Sequence, residues 1–206
     1  MEYIELIGVA AFAVAGAMAA ADKHADIFGV LFLAVITALG GGILRDIILG
    51  LLPPKMFTSY VYIAVALAAA LVVFFEAYAN RDKYDARRER LAAVVNVFDA
   101  IGLAAFTVSG MEIAIAMHGI SNPLLPVLMG MTTGIGGGML RDILLGEISL
   151  VLRKRIYAVA SLAGALLYYC LLILSCPQML SAWATIAFIF TLRILATLYR
   201  WNLPRT

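Results

Sequence analysis

The sequence predicts an all-α polytopic membrane protein, with seven transmembrane helices arranged as two inverted three-helix repeats plus one terminal helix. Three observations lead there. Of 206 residues, 64% are hydrophobic and 14% charged, with a mean hydropathy of +1.00. A soluble domain carries about 45–50% apolar and about 25% charged residues. Apolar stretches close to the ~20 residues that cross a bilayer recur seven times, and the chain aligns with itself. These properties exclude the water-soluble classes. Nucleic-acid binding is not supported either, because the basic residues lie in membrane-flanking loops.

The elements follow in order. The first span, 4–21, contains "AVAGAMAAA", which resembles a small-residue cleavage site. It follows Glu2 and Glu5 instead of a basic leader, and its pattern recurs in the chain interior, so it reads as a retained helix. The second and third spans cover 27–49 and 59–79, and a charged run, "NRDKYDARRER", follows. The remaining spans are 92–116, 123–146, 156–175 and 181–199. The chain is thus a single membrane domain over 1–206: repeat one at 1–80, a charged loop at 81–91, repeat two at 92–175, and a seventh helix at 181–199. Cys170 and Cys176 are expected as free, buried thiols, and no metal-ligand spacing occurs.

The duplication is explicit. "ELIGVAAFAVAG" (5–16) matches "DAIGLAAFTVSG" (99–110) at seven of twelve positions. "TALGGGILRDIILG" (37–50) matches "TGIGGGMLRDILLG" (133–146) at ten of fourteen. The third spans align through Tyr62 and Tyr157. With an odd number of spans per copy, the second copy starts from the opposite face, so a pseudo-two-fold axis lies in the membrane plane. Charge supports this. With the connections assigned alternately to two faces, Lys55 is the one basic residue on the first. The second face carries eleven: Lys23, Arg81, Lys83, Arg87, Arg88, Arg90, Arg153, Lys154, Arg155, Arg200 and Arg205. By the positive-inside rule the N-terminus is outside and the C-terminus cytoplasmic.

Each glycine in a helix interior costs about 1 kcal/mol relative to alanine. Gly40, Gly41 and Gly42 in the second span, and Gly136, Gly137 and Gly138 in the fifth, are therefore expected to unwind or kink their helices near the axis. Irregular backbone at that depth survives only against protein or water, so the freed groups would line a hydrated path, with Thr37 and Thr133 adding hydroxyls. The alternative is close helix packing through small residues. Arg45–Asp46 and Arg141–Asp142 follow the triplets. Neighbours on a helix point about 100° apart, so each is expected to find partners elsewhere, with the freed carbonyls, Glu5 and Asp99 as candidates. A cavity or gating role competes with snorkelling to the headgroups. Glu112 has Met18 as its repeat counterpart and breaks the symmetry. Arg193 in the seventh span is expected to snorkel inward or to pair with Glu76.

Seven spans in a three-three-one pattern, with the duplicated GGGxLRDIxLG at Gly40–Gly50 and Gly136–Gly146, resemble the bacterial branch of the trimeric intracellular cation (TRIC) channel family. The resemblance runs over essentially the whole chain. It implies a homotrimer, embedded among membrane lipids in a bacterial inner membrane. Each protomer would carry a pore for monovalent cations, chiefly K⁺ with Na⁺ also permeant, lined by the second and fifth spans. It implies no catalytic residues and no cofactor. The Lys-Glu-Val signature of the animal members is absent, so their regulation does not carry over. Two functional classes stay open at this point: a passive cation channel, and a secondary transporter of a small zwitterion such as glycine.

Overall fold

The computed structural model describes residues 2–79, 88–149, 156–199 and 201. Most of the charged loop 81–91, including all of 81–87, lies outside them, as do Arg153, Lys154, Arg155 and Arg205. Among the described residues the chain is helical throughout: α1 Glu2–Asp22, α2 Ile27–Ile48, α3 Lys55–Thr58, α4 Tyr60–Ala79, α5 Arg88–His118, α6 Leu124–Leu144, α7 Ile156–Ile173 and α8 Gln178–Leu198.

Six of these helices are long and apolar enough to cross a membrane. The expected fifth span, α6, is the one long helix outside that set. Its 21 residues include five glycines, two threonines and the Arg141–Asp142 pair, which dilute its apolar character. It is instead wrapped by protein, packing on α2, α5 and α7.

Local signals set the helix ends. Asp26 caps α2, its carboxylate accepting the Gly29 amide at 2.7 Å. Gly50 and Gly146, the last residues of the repeated motif, take φ values of +72° and +67° and close α2 and α6 in the same way. The Leu51 amide returns to the Asp46 carbonyl and the Glu147 amide to that of Asp142. Left-handed backbone costs a side-chain-bearing residue energy that glycine does not incur.

The packing is reciprocal between the two halves. Phe12 of α1 lies over Gly102 of α5, and Phe106 of α5 lies over Gly8 of α1. The two rings stack with centroids 5.4 Å apart. Thr37 of α2 fills the space against Gly16, and Thr133 of α6 fills the equivalent space against Gly110. Each such contact in one half has its counterpart in the other, as two copies of one unit facing each other require. The outside of the bundle is apolar, with Phe28, Val72, Phe75 and Leu198 exposed. Arg45, Asp46, Asp99, Arg141, Asp142 and Arg193 are buried inside it.

The two cysteines are free, but they are not buried: Cys170 is exposed and Cys176 partly so. Cys170 belongs to the outward face of α7, where small residues are not needed for helix contact.

Candidate functional site

The glycine triplets do meet, but not by unwinding. α2 runs as continuous helix through Gly40–Gly42, and α6 through Gly136–Gly138. A Cβ at Gly41 would collide with the carbonyl oxygen of Thr133, and one at Gly137 with that of Thr37. The two helices therefore cross backbone to backbone. The expectation of broken helices is corrected here: tight contact supplies the helix packing that the glycines withhold as side chains, and the ladder of hydrogen bonds survives. Thr37 and Thr133 follow suit. Their hydroxyls donate back to the Leu33 and Met129 carbonyls at 2.6 Å each, within their own helices.

On one side of this crossing lies the charge cluster of the first repeat. Arg45 is fully buried. Its Nη1 donates to Glu5 Oε1 at 2.9 Å and its Nε to Asp46 Oδ1 at 2.8 Å. Glu5 also receives Lys55 Nζ at 2.9 Å, the Tyr62 hydroxyl at 2.8 Å and the Ser109 hydroxyl at 3.0 Å. The Lys55 amide donates to Asp46 Oδ2, which pins α3 over the cluster. Lys55 Nζ stands 5.2 Å from the Tyr62 ring centroid. Burial alone would depress the Lys55 ammonium, but its contacts with Tyr62 and Glu5 outweigh this and push its pKa up to about 12. Two carboxylates of this group, Glu5 and Asp46, face two cations, Arg45 and Lys55; the exposed Glu2 adds a long contact to Lys55 at 3.8 Å.

The cluster of the second repeat follows the same plan. Arg141 Nη1 donates to Asp99 at 2.8 Å, while Nε and Nη2 reach Asp142 Oδ1 at 3.0 and 2.8 Å. Tyr157 and Asp99 converge beside Gly138, where a Cβ would stand 2.8 Å from the Tyr157 hydroxyl and 3.4 Å from Asp99 Oδ1.

Snorkelling is thus overturned for both arginines: Arg45 is 0% and Arg141 3% exposed. Of the candidate partners, Glu5 takes Arg45 and Asp99 takes Arg141; the backbone carbonyls of the triplets, which stay in helix, are not needed. The adjacent aspartates are partners too, because Nε lies far enough back along the side chain to bond a neighbour that Nη1 passes by. Arg193 turns inward as well, while Glu76 is exposed on α4. Sequence reasoning did not single out Lys55, Tyr62 or Ser109 for the first-repeat cluster. The Tyr62–Tyr157 match was a usable signal. Ser109 aligns with Ala15 and carried none.

Two cavities open nearby. One, of about 430 Å³, is lined by Arg45, Asp46, Leu51, Pro53, Lys55 and Thr58. The other, of about 460 Å³, lies beside Glu112, which accepts from Tyr168 at 2.6 Å.

These features define a polytopic helical membrane protein with duplicated halves and paired buried ion clusters. A protein family described as Glycine transporter matches residues 2–77 and 96–172. A membrane protein of Deinococcus radiodurans is 38% identical over 80% of this chain and 73% of its own length. The inner membrane protein YadS of Escherichia coli K12 is 35% identical over 81% of this chain and 76% of its own. The crystal structure of the TRIC trimeric intracellular cation channel orthologue from Rhodobacter sphaeroides is similar at a TM-score of 0.85. Sequence identity there is 32%, covering 97% of both chains. The chain belongs to the TRIC channel family.

Proposed function

We propose that this protein is a passive, K⁺-preferring monovalent cation channel of the bacterial inner membrane. It assembles as a homotrimer, like the Rhodobacter relative's name, with one pore per protomer bordered by α2 and α6. Seven crossings, α6 included, are arranged three-three-one, with the N-terminus outside. The observation that carries this reading is the pair of buried, hydrogen-bonded arginine–carboxylate clusters on opposite sides of the glycine crossing. Charged groups at such depth are expensive and serve ion pathways or gates. In the closed arrangement Arg45 and Arg141 are neutralised by Glu5, Asp46, Asp99 and Asp142. Release of either arginine exposes carboxylates that attract a cation. The cavity beside Asp46 and Lys55 is then the outer vestibule.

A second reading has its own support. Arg45 borders that cavity and keeps one buried donor, Nη2, without an acceptor among the described residues. A substrate carboxylate on this edge, with its ammonium on Asp46, suits a transporter of a small zwitterion, in keeping with the matching family's description.

Planar-bilayer recordings with K⁺, Na⁺ and Cl⁻ gradients separate the two. Unitary currents reversing near the K⁺ potential support the channel. Silence from folded protein, together with saturable counterflow of labelled glycine in proteoliposomes, refutes it in favour of the transporter.

A further inference from the structure

α2 ends at Ile48 and α4 starts at Tyr60, and both are long and apolar enough to cross the membrane. In a polytopic chain the link between them, 49–59, turns around at the bilayer surface. Its two faces differ. Toward the protein, Met56 is 0% exposed, and its Cε lies 2.6 Å from the place a Cβ on Gly42 would take. The last glycine of the first triplet is thus the seat of the Met56 side chain. Beside it, Lys55 donates its amide to Asp46 Oδ2 at 2.8 Å and its Nζ to Glu5 Oε2 at 2.9 Å. Toward the outside, Leu52 is 70% and Phe57 61% exposed.

The short α3 turn is closed by its own bonds. The Phe57 amide donates to the Pro54 carbonyl at 2.9 Å, and the Ser59 amide and Thr58 hydroxyl donate to the Lys55 carbonyl at 3.1 and 3.0 Å. Lys55, Met56 and Phe57 therefore travel together. The exposed apolar surface is continuous with that of the spans: Ile47 and Ile48 precede it, and Tyr60 and Val61 follow it, all exposed. Large apolar side chains with an aromatic ring at the end of a crossing helix suit the boundary between headgroups and acyl chains.

We propose that the link 52–57 is an interfacial strap: Leu52 and Phe57 rest in the lipid boundary, and through Met56 and Lys55 they hold the charge cluster of the first repeat closed. The partner is the bilayer surface itself. Withdrawal of Phe57 from lipid lifts Met56 off Gly42 and draws Lys55 away from Glu5 and Asp46. The coupling is the same in a channel and in a transporter.

Two measurements on the full chain in lipid nanodiscs test this, in a background carrying Cys170→Ala and Cys176→Ala. In the first, a nitroxide on Leu52→Cys or Phe57→Cys is relaxed by oxygen, which partitions into lipid, or by a nickel chelate, which stays in water. Stronger relaxation by oxygen is expected. Stronger relaxation by nickel places the strap in water, and relaxation by neither places it against another protein surface; both overturn the proposal. In the second, Met56→Cys reacts with a water-soluble maleimide. Adding Phe57→Asp is expected to speed the reaction about tenfold, because the aspartate cannot stay in the apolar boundary, while Phe57→Leu changes it by less than about twofold. A buried reference, Ala165→Cys on α7, keeps its rate. An unchanged Met56→Cys rate, or equal acceleration of the reference, overturns the coupling. Should Phe57→Asp not fold, Phe57→Ser makes the same comparison with the same two refuting results.

Discussion

Replacing Gly41 by alanine tests the crossing directly. Alanine favours a helix interior over glycine by about 1 kcal/mol, so on propensity alone the variant would be more stable. The structure reverses the sign. The new methyl would overlap the Thr133 carbonyl, a backbone atom that cannot rotate away. α2 and α6 must separate by about 1 Å to restore ordinary contact. Overpacking of this kind costs about 1–3 kcal/mol. A further loss follows because Gly136 rests against Gly41 Cα on the same seam. The net expectation is destabilisation by about 1–2 kcal/mol, or a melting temperature lower by about 2–8 °C for a chain of this size. Gly137→Ala behaves alike, since its methyl meets the Thr37 carbonyl. Gly40→Ala is the control, because its methyl meets the tip of Leu140, a flexible side chain. Thermal unfolding in one detergent, followed by circular dichroism, ranks the three. If Gly41→Ala and Gly137→Ala melt at or above wild type while Gly40→Ala falls below it, the backbone-to-backbone crossing is not the tight contact described.

Removing one partner of a buried ion cluster strands the others. Arg45→Met is expected to cost about 3–5 kcal/mol, with partial recovery in the Arg45→Met/Glu5→Gln double variant; full additivity in chemical unfolding would refute the pairing. Tyr62→Phe removes a hydrogen bond to a charged carboxylate and is expected to cost about 1.5–3 kcal/mol. Tyr157→Phe removes a hydroxyl that stands near Asp99 without a well-formed hydrogen bond and is expected to cost less than Tyr62→Phe, so equal melting losses in the two would contradict the asymmetry. Lys55 has its folded pKa raised to about 12, above its unfolded value near 10.4. Its contribution is therefore fully present below about pH 10 and is lost as pH rises through about 12. The melting difference between wild type and Lys55→Met is expected to be flat from neutral pH to about 10 and to shrink beyond it.

Much of this architecture was legible in the residues. Helix class followed from apolar runs of bilayer length, and Glu5 and Asp99 stood out as candidate partners for the arginines, although which arginine each meets came from the structure. The conformation at the triplets did not. Intrinsic propensity argues that three glycines loosen a helix, yet propensity is a local quantity, and the contact that holds Gly41 helical lies 92 residues away at Thr133. The same limit applies to Arg193. Its nearest like-charged and opposite-charged residues in sequence say nothing of Tyr157, which faces it from another helix. The stretch 123–146 read as a span, yet α6 is the one long helix that falls short of the apolar character of a crossing; its interior position lets it carry glycines and threonines that a lipid-facing helix would replace with larger apolar residues.

The placement of the clusters constrains how the protein can move. Arg45 and Arg141 lie three residues beyond the triplets, about 4–5 Å along their helices, so they ride on the segments whose separation the glycines fix. α2 and α6 are equivalent halves of one crossing. A change in their spacing therefore reaches Glu5–Arg45 and Asp99–Arg141 together. Each cluster is buried and hydrogen-bonded, so partial displacement of an arginine leaves unpaired charge, which is costly. Small continuous adjustments are disfavoured, and the low-energy alternatives are both clusters closed or both exchanged for new partners. For a conducting protomer the expected electrical signature is a single main level per pore. Frequent half-height sublevels would show instead that the two halves open on their own.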